Sequence, residues 1–215
     1  MNSRTTSPDI TFPRMIGAIA LGIAASVGLV FLGLHSEWII KEGGPVETAS
    51  AVLLLLAALV LVAGHPSRHG LSLWRVPVLL VLLTGRELDF DKRFTEMGLL
   101  KLRLYTSEGM PGTKVAGLIL IALLVVIVYG LIRDGYPACR DGLRRKAEWA
   151  WLTAVGIVAL VVAKSIDGLG RKLADVGLTA SAETVRVAAA VEETLELGFA
   201  ALMVMAVASW LRATR

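Results

Sequence analysis

The chain has 215 residues, 55% of them hydrophobic, and a formal net charge of +4. A soluble domain carries about 45–50% apolar residues; here the mean hydropathy is +0.69, and the excess gathers in stretches of about 15–20 residues, the length a helix needs to cross a hydrocarbon core of about 30 Å, which excludes an ordinary water-soluble domain. The pI near 9.5 raises nucleic acid as a partner, but Lys and Arg are scattered through short connections without interleaved aromatics, so the charge is a topology signal, and the single cysteine, Cys139, excludes an intramolecular disulfide and a cysteine-based zinc cluster.

The reading is an all-α, polytopic helical membrane bundle of about six transmembrane helices plus a short interfacial amphipathic helix. Residues 1–13 form a polar N-terminal tail, and 14–212 a single transmembrane helical domain. The first span is 15–34; its apolar run is longer than a signal-peptide core, and no convincing cleavage box precedes His35. Ala20, Ala24 and Gly28 recur every fourth residue in it, a stripe of small side chains that lets another helix approach closely.

Pro45 suits the first position of a helix, so the second span is 45–63. Glu47 falls in its first turn, where the helix dipole favours an anion. After the turn at 64–70, the third span is 71–88. Between Arg75 and Arg86 only residues 76–85 are uncharged, about 15 Å of helix at 1.5 Å per residue, or half the hydrocarbon thickness. Arg75 reaches the interface by snorkelling, which leaves Arg86 and Glu87 below the opposite interface or the bilayer thinned around them.

The interfacial loop 89–112 follows. Phe90, Phe94 and Met97 are spaced for one face of a short surface helix, Leu100 to Tyr105 alternates as an extended segment does, and the loop reads as a cover over a pocket mouth. The fourth span is 113–132, followed by a basic loop at 133–148. The fifth is 149–166, with Gly168 and Gly170 ending it rather than binding a nucleotide. The sixth is 188–211. Six crossings put both termini on one side, and the short-loop Lys and Arg make that side cytoplasmic.

This topology brings Glu47, Arg86, Glu87, Lys114, Lys164, Asp167, Glu192, Glu193 and Glu196 to the same, outer end, with no equivalent in the inner half. The ligand-binding set is Glu47, Arg86, Glu87, Asp89, Lys164, Asp167, Glu192 and Glu196. The acidic excess implies protonated carboxylates or a bound cation. Should that be a metal, the oxygen donors Glu87, Asp89, Glu192 and Glu196 suit Mg²⁺, Ca²⁺ or Mn²⁺. No catalytic residue is identified. Three functions are open: an outward-facing acidic site for a cation or the polar head group of a small or lipid ligand; an intramembrane enzyme acting on a lipid or isoprenoid head group; or a structural subunit whose charges tie helix ends together. The expected partners are the lipid bilayer and a small cationic or lipid ligand, with nucleic acid excluded and a homo-oligomer left open.

The block Arg86-Glu87-Leu88-Asp89-Phe90-x-Lys92-x-Phe94-Thr95, with Lys164-Ser165-Ile166-Asp167-Gly168-Leu169 and Glu192-Glu193-x-Leu195-Glu196-Leu197, resembles a family of bacterial multipass inner-membrane proteins of uncharacterised activity. The resemblance implies the bacterial inner membrane and no particular reaction. Asp91 stands where the family often has His.

Overall fold

The structure is a computed structural model and describes residues 28, 31–32, 43–64, 74–90, 98–100, 102–106 and 111–214. Among these the regular structure is all helical: α1 (Pro45–Gly64), α2 (Arg75–Glu87), α3 (Leu102–Thr106), α4 (Pro111–Gly130), a π-helical turn (Leu131–Gly135), α5 (Tyr136–Arg144), α6 (Glu148–Ile166), α7 (Leu169–Asp175) and α8 (Ala182–Thr214). Four helices are long and apolar enough to cross a membrane: Pro45–Gly64, the continuous Pro111–Arg144, Glu148–Ile166 and Ala182–Thr214. The all-helical, multipass reading therefore stands at that level. Most of the proposed first span, the turn after the second, and the surface helix placed on Phe94 and Met97 lie outside the described residues.

Local chemistry sets the helix ends. Pro45 occupies the first position of α1, and the Glu47 carboxylate reaches back to accept the Gly43 N–H, a donor no helical carbonyl can satisfy. The end of α2 is marked by Asp89, which adopts φ +49°, a left-handed conformation that Asp tolerates better than most residues. Gly168, at φ +62°, turns the chain after α6, so it ends that helix as expected, whereas Gly170 lies inside α7. The hydroxyl of Ser181 accepts the Thr184 N–H and caps α8.

Two corrections to the sequence reading follow. The basic loop placed at 133–148 is largely helical, because α4 runs through the π turn into α5 as far as Arg144. The segment from Leu100 to Tyr105 is not extended: Leu102–Thr106 forms a helical turn, and the Tyr105 hydroxyl donates to the Leu99 carbonyl at 2.8 Å beside Gly117, where a Cβ would strike it. The helix that carries the sixth span starts at Ala182, after Ser181, in the polar stretch ahead of the span itself.

Helices α6 and α8 share the most extensive interface, followed by α1 with α8 and α1 with α2. Their core is Leu54, Ala57, Ala58, Leu61, Leu80, Phe199, Ala200, Val207 and Leu211. Lipid tails are as apolar as leucine, so helices in a bilayer associate through close packing. The completely buried Ala57 and Ala200 allow such an approach, as does Gly156, whose missing Cβ leaves room for Met203 and Phe199. Helix α4 stands at the edge and exposes Val115, Leu118, Ile119, Val125 and Val126. A shallow apolar groove of about 370 Å³ on α4 is lined by Leu124, Val125, Val128, Tyr129 and Ile132.

The short α2 has a charge at both ends. Its 13 residues rise about 20 Å, less than the hydrocarbon thickness. At its start Arg75 Nη1 donates to Asp134 Oδ2 at 2.7 Å. Gly130 makes this possible, because the guanidinium lies where its Cβ would be. The end of the bundle where α2 begins thus has a charge pair of its own, and Arg75 is held by a partner instead of only snorkelling. Glu148 adds a second contact at that end, accepting from Ser209 at 2.7 Å with Arg212 at 3.8 Å. Asp134→Ala is expected to cost about 1 kcal/mol, typical of a partly exposed pair, and more than Arg75→Gln, because it leaves the less exposed partner unmatched. The midpoint of unfolding in mixed detergent micelles reads both.

Candidate functional site

The opposite end of the bundle assembles a carboxylate cluster around one lysine. Lys164 lies in the last turn of α6, where the dipole favours a cation. Its Nζ is 3.4 Å from Glu192 Oε1 and 3.8 Å from Asp167 Oδ2, and it pairs closely with Glu196 Oε1. Glu192 and Glu196 are one turn apart on α8 and meet Lys164 from the same face.

A second group enters from α1 and α2. Glu87, at the end of α2, has only 8% of its side chain exposed, and its Oε1 is 3.7 Å from Arg86 Nη1. It lies within electrostatic range of Glu196, Lys164 and Glu47. Glu193 is in range of Glu47, Glu87, Glu192 and Glu196. Glu196, as buried as Glu87, belongs to both groups and links them. Neighbouring Thr84 sends its hydroxyl to Leu80 O at 2.9 Å and approaches Ala51 O at 3.5 Å, tying α2 to α1 beneath Glu87.

Helix α7 folds over this end. Beyond Gly168 the Lys172 ammonium donates to the Lys164 and Ser165 carbonyls, each at 3.2 Å. These carbonyls belong to the last turn of α6 and have no helical N–H to receive. The cation that closes the helix thus also holds α7 beside the cluster.

Glu47, Glu87, Lys164, Asp167, Glu192 and Glu196 are brought together, with Arg86 alongside Glu87. Asp89 sits two residues past Glu87, half-buried at the turn. Lys114 is in the first turn of α4, the edge helix. The sequence-derived ligand set omitted Glu193, although the residue next to Glu192 lies about 100° further round the helix and so turns from α6 toward α1. It also omitted Lys172, whose role depends on a chain reversal that spacing does not reveal.

The charge balance decides what chemistry this end can perform. Six carboxylates (Glu47, Glu87, Asp167, Glu192, Glu193, Glu196) face Lys164 and Arg86. Where carboxylates of this group are buried, as at Glu87 and Glu196, a proton or an added cation relieves the excess. Among the described residues no three His, Cys, Asp or Glu converge closely enough to hold a metal ion, so the Mg²⁺, Ca²⁺ or Mn²⁺ reading of Glu87, Asp89, Glu192 and Glu196 gains no geometric support. Comparison of the chain with protein-family models, with curated proteins and with solved structures finds no match.

Proposed function

We propose that this is a bacterial inner-membrane protein, with six spans and both termini in the cytoplasm, whose periplasm-facing acidic cluster binds a cation: a proton or a small organic ammonium. The membrane assignment rests on the apolar helices and, for the bacterial inner membrane, on the resemblance carried by the Arg86 to Thr95 block. The sidedness rests on the distribution of Lys and Arg among the short connections.

One observation carries the reading. The Lys164 ammonium is ringed by Glu192, Glu196 and Asp167, while Glu87, beside Arg86, and Glu193 add charge from the other side. Lys164 acts as a resident counter-ion. An incoming ammonium presents the same charge and the same N–H donors, so it competes for these oxygens, and a proton relieves the same repulsion. Ionisable groups within a bundle are costly unless they pair or serve a site; here Lys164 accounts for only part of the acid.

Purified protein in detergent is to be melted at fixed pH and ionic strength with Na⁺, K⁺, Mg²⁺, ethylammonium or spermidine. A ligand that binds only the folded state stabilises it by about 2.7 kcal/mol at a hundredfold excess over its Kd. Ethylammonium or spermidine should raise the melting temperature above the Na⁺ control, and Glu196→Gln should abolish the increment while remaining folded. Equal melting with every cation, together with no proton uptake or release on titration near neutral pH, would leave the cluster a set of helix ties.

A further inference from the structure

A second surface lies beyond the cluster, where α7 and the start of α8 form a helical corner. Ser209 on α8 is level with Glu148, the first residue of α6, through their 2.7 Å hydrogen bond. Counting back from Ser209 at 1.5 Å per residue, a hydrocarbon core of about 30 Å ends near residue 189. Residues 184–188 therefore stand in the head-group layer, which adds about 5–8 Å on each side of the core. Helix α7 lies at the same level, because Gly170 packs directly on Val185.

This corner mixes polar and apolar groups: exposed aliphatic side chains stand beside exposed Asp175, Ser181, Glu183 and Arg186. Val176 is 70% exposed, and Leu178, Val185 and Val187 are exposed with it. Exposed Arg171 and Lys172 flank them on α7. On α6, the helix that leads into this corner, Val158, Val161 and Val162 are also exposed. Aliphatic side chains beside cations at head-group depth match an interfacial helix, which buries its apolar face at the acyl boundary and offers its cations to phosphates.

We propose that residues 169–187 form an interfacial corner seated in the membrane, with Val176, Leu178, Val185 and Val187 dipping to the acyl boundary and Arg171 engaging anionic phospholipid head groups. The occupant of this surface is lipid: the corner follows directly on the apolar α6 and opens the apolar α8, and its flanking cations complement lipid phosphate. The consequence for the cluster is structural. Lys172 ties this corner to the last turn of α6, so the depth of the corner bears on how Lys164 is covered.

The test uses the full chain in nanodiscs of phosphatidylcholine alone or with phosphatidylglycerol. In a Cys139→Ala background, Val176→Cys and Leu178→Cys are labelled separately with an environment-sensitive fluorophore, with Glu183→Cys as the polar control. Labels at 176 and 178 should emit to the blue of the control and lose fluorescence to brominated lipid but not to aqueous iodide. Phosphatidylglycerol should increase the loss to brominated lipid, and Arg171→Gln should remove that increase. Quenching by iodide without quenching by brominated lipid would place the corner in water and overturn the proposal. Protection from both quenchers would show a protein surface over it and overturn the lipid assignment. Lipid quenching that is indifferent to phosphatidylglycerol would overturn the role of Arg171.

Discussion

Lys164→Met should destabilise the protein by about 3 kcal/mol, the lower end of the range for removing one partner from a buried charge pair. The loss is large because three carboxylates share this one ammonium, and Glu196 is nearly inaccessible to water. With the lysine gone, Glu196 and Glu192 face each other across one helical turn with no intervening cation. The double variant Lys164→Met/Glu196→Gln should recover part of the deficit, since the glutamine no longer needs a counter-charge. Unfolding midpoints of wild type, both single variants and the double variant give the coupling directly. Additive losses would mean that Lys164 and Glu196 act independently and that the close pair contributes little.

The second large effect is expected at Gly156, far from any charge. A Cβ there would come within 2.7 Å of Met203 Cε and 3.4 Å of Phe199 Cδ2. Met203 is flexible at that atom, so Gly156→Ala should be mild. Gly156→Leu has no such relief and should cost about 2–3 kcal/mol through overpacking. It also pries apart the helix pair that brings Lys164 to Glu192 and Glu196, so the same variant should lose the melting response to ethylammonium or spermidine. A Gly156→Leu protein with wild-type midpoint and response would show that α6 and α8 do not need this close approach.

Much of the site was legible because helical spacing is short-range information. The four-residue interval between Glu192 and Glu196 places them on one face whatever surrounds them. The brief uncharged stretch between Arg75 and Arg86 announces a helix too short for the hydrocarbon core, and α2 is that helix. Counting alone thus marked Arg86 and Glu87 as the end of that helix.

The Arg75–Asp134 pair was not legible. Arg75 and Asp134 are 59 residues apart, and nothing in either neighbourhood names the other. Gly130 looks like one more small residue in an apolar helix until the guanidinium lying across it is seen. The π turn at Leu131–Gly135 was hidden for a related reason: it departs from α-helical bonding by a single residue, and that departure depends on what packs there. The continuation into α5 was masked by Arg133, Asp134 and Arg140, which read as the edge of a span although a helix can carry them beyond it.

By itself, then, the sequence determined that the protein is a bundle of apolar helices and which acids share a helix face, because hydrophobic length and 3.6-residue periodicity are local properties. Only the tertiary structure decided that Lys164 is the shared counter-ion, that Glu196 joins two groups of carboxylates, and that Lys172 closes α6 from the following helix. Those facts depend on which helices lie side by side and how closely. That is set by Gly156, Ala57 and Ala200 at the crossings, small residues whose effect appears only when a second helix is packed against them.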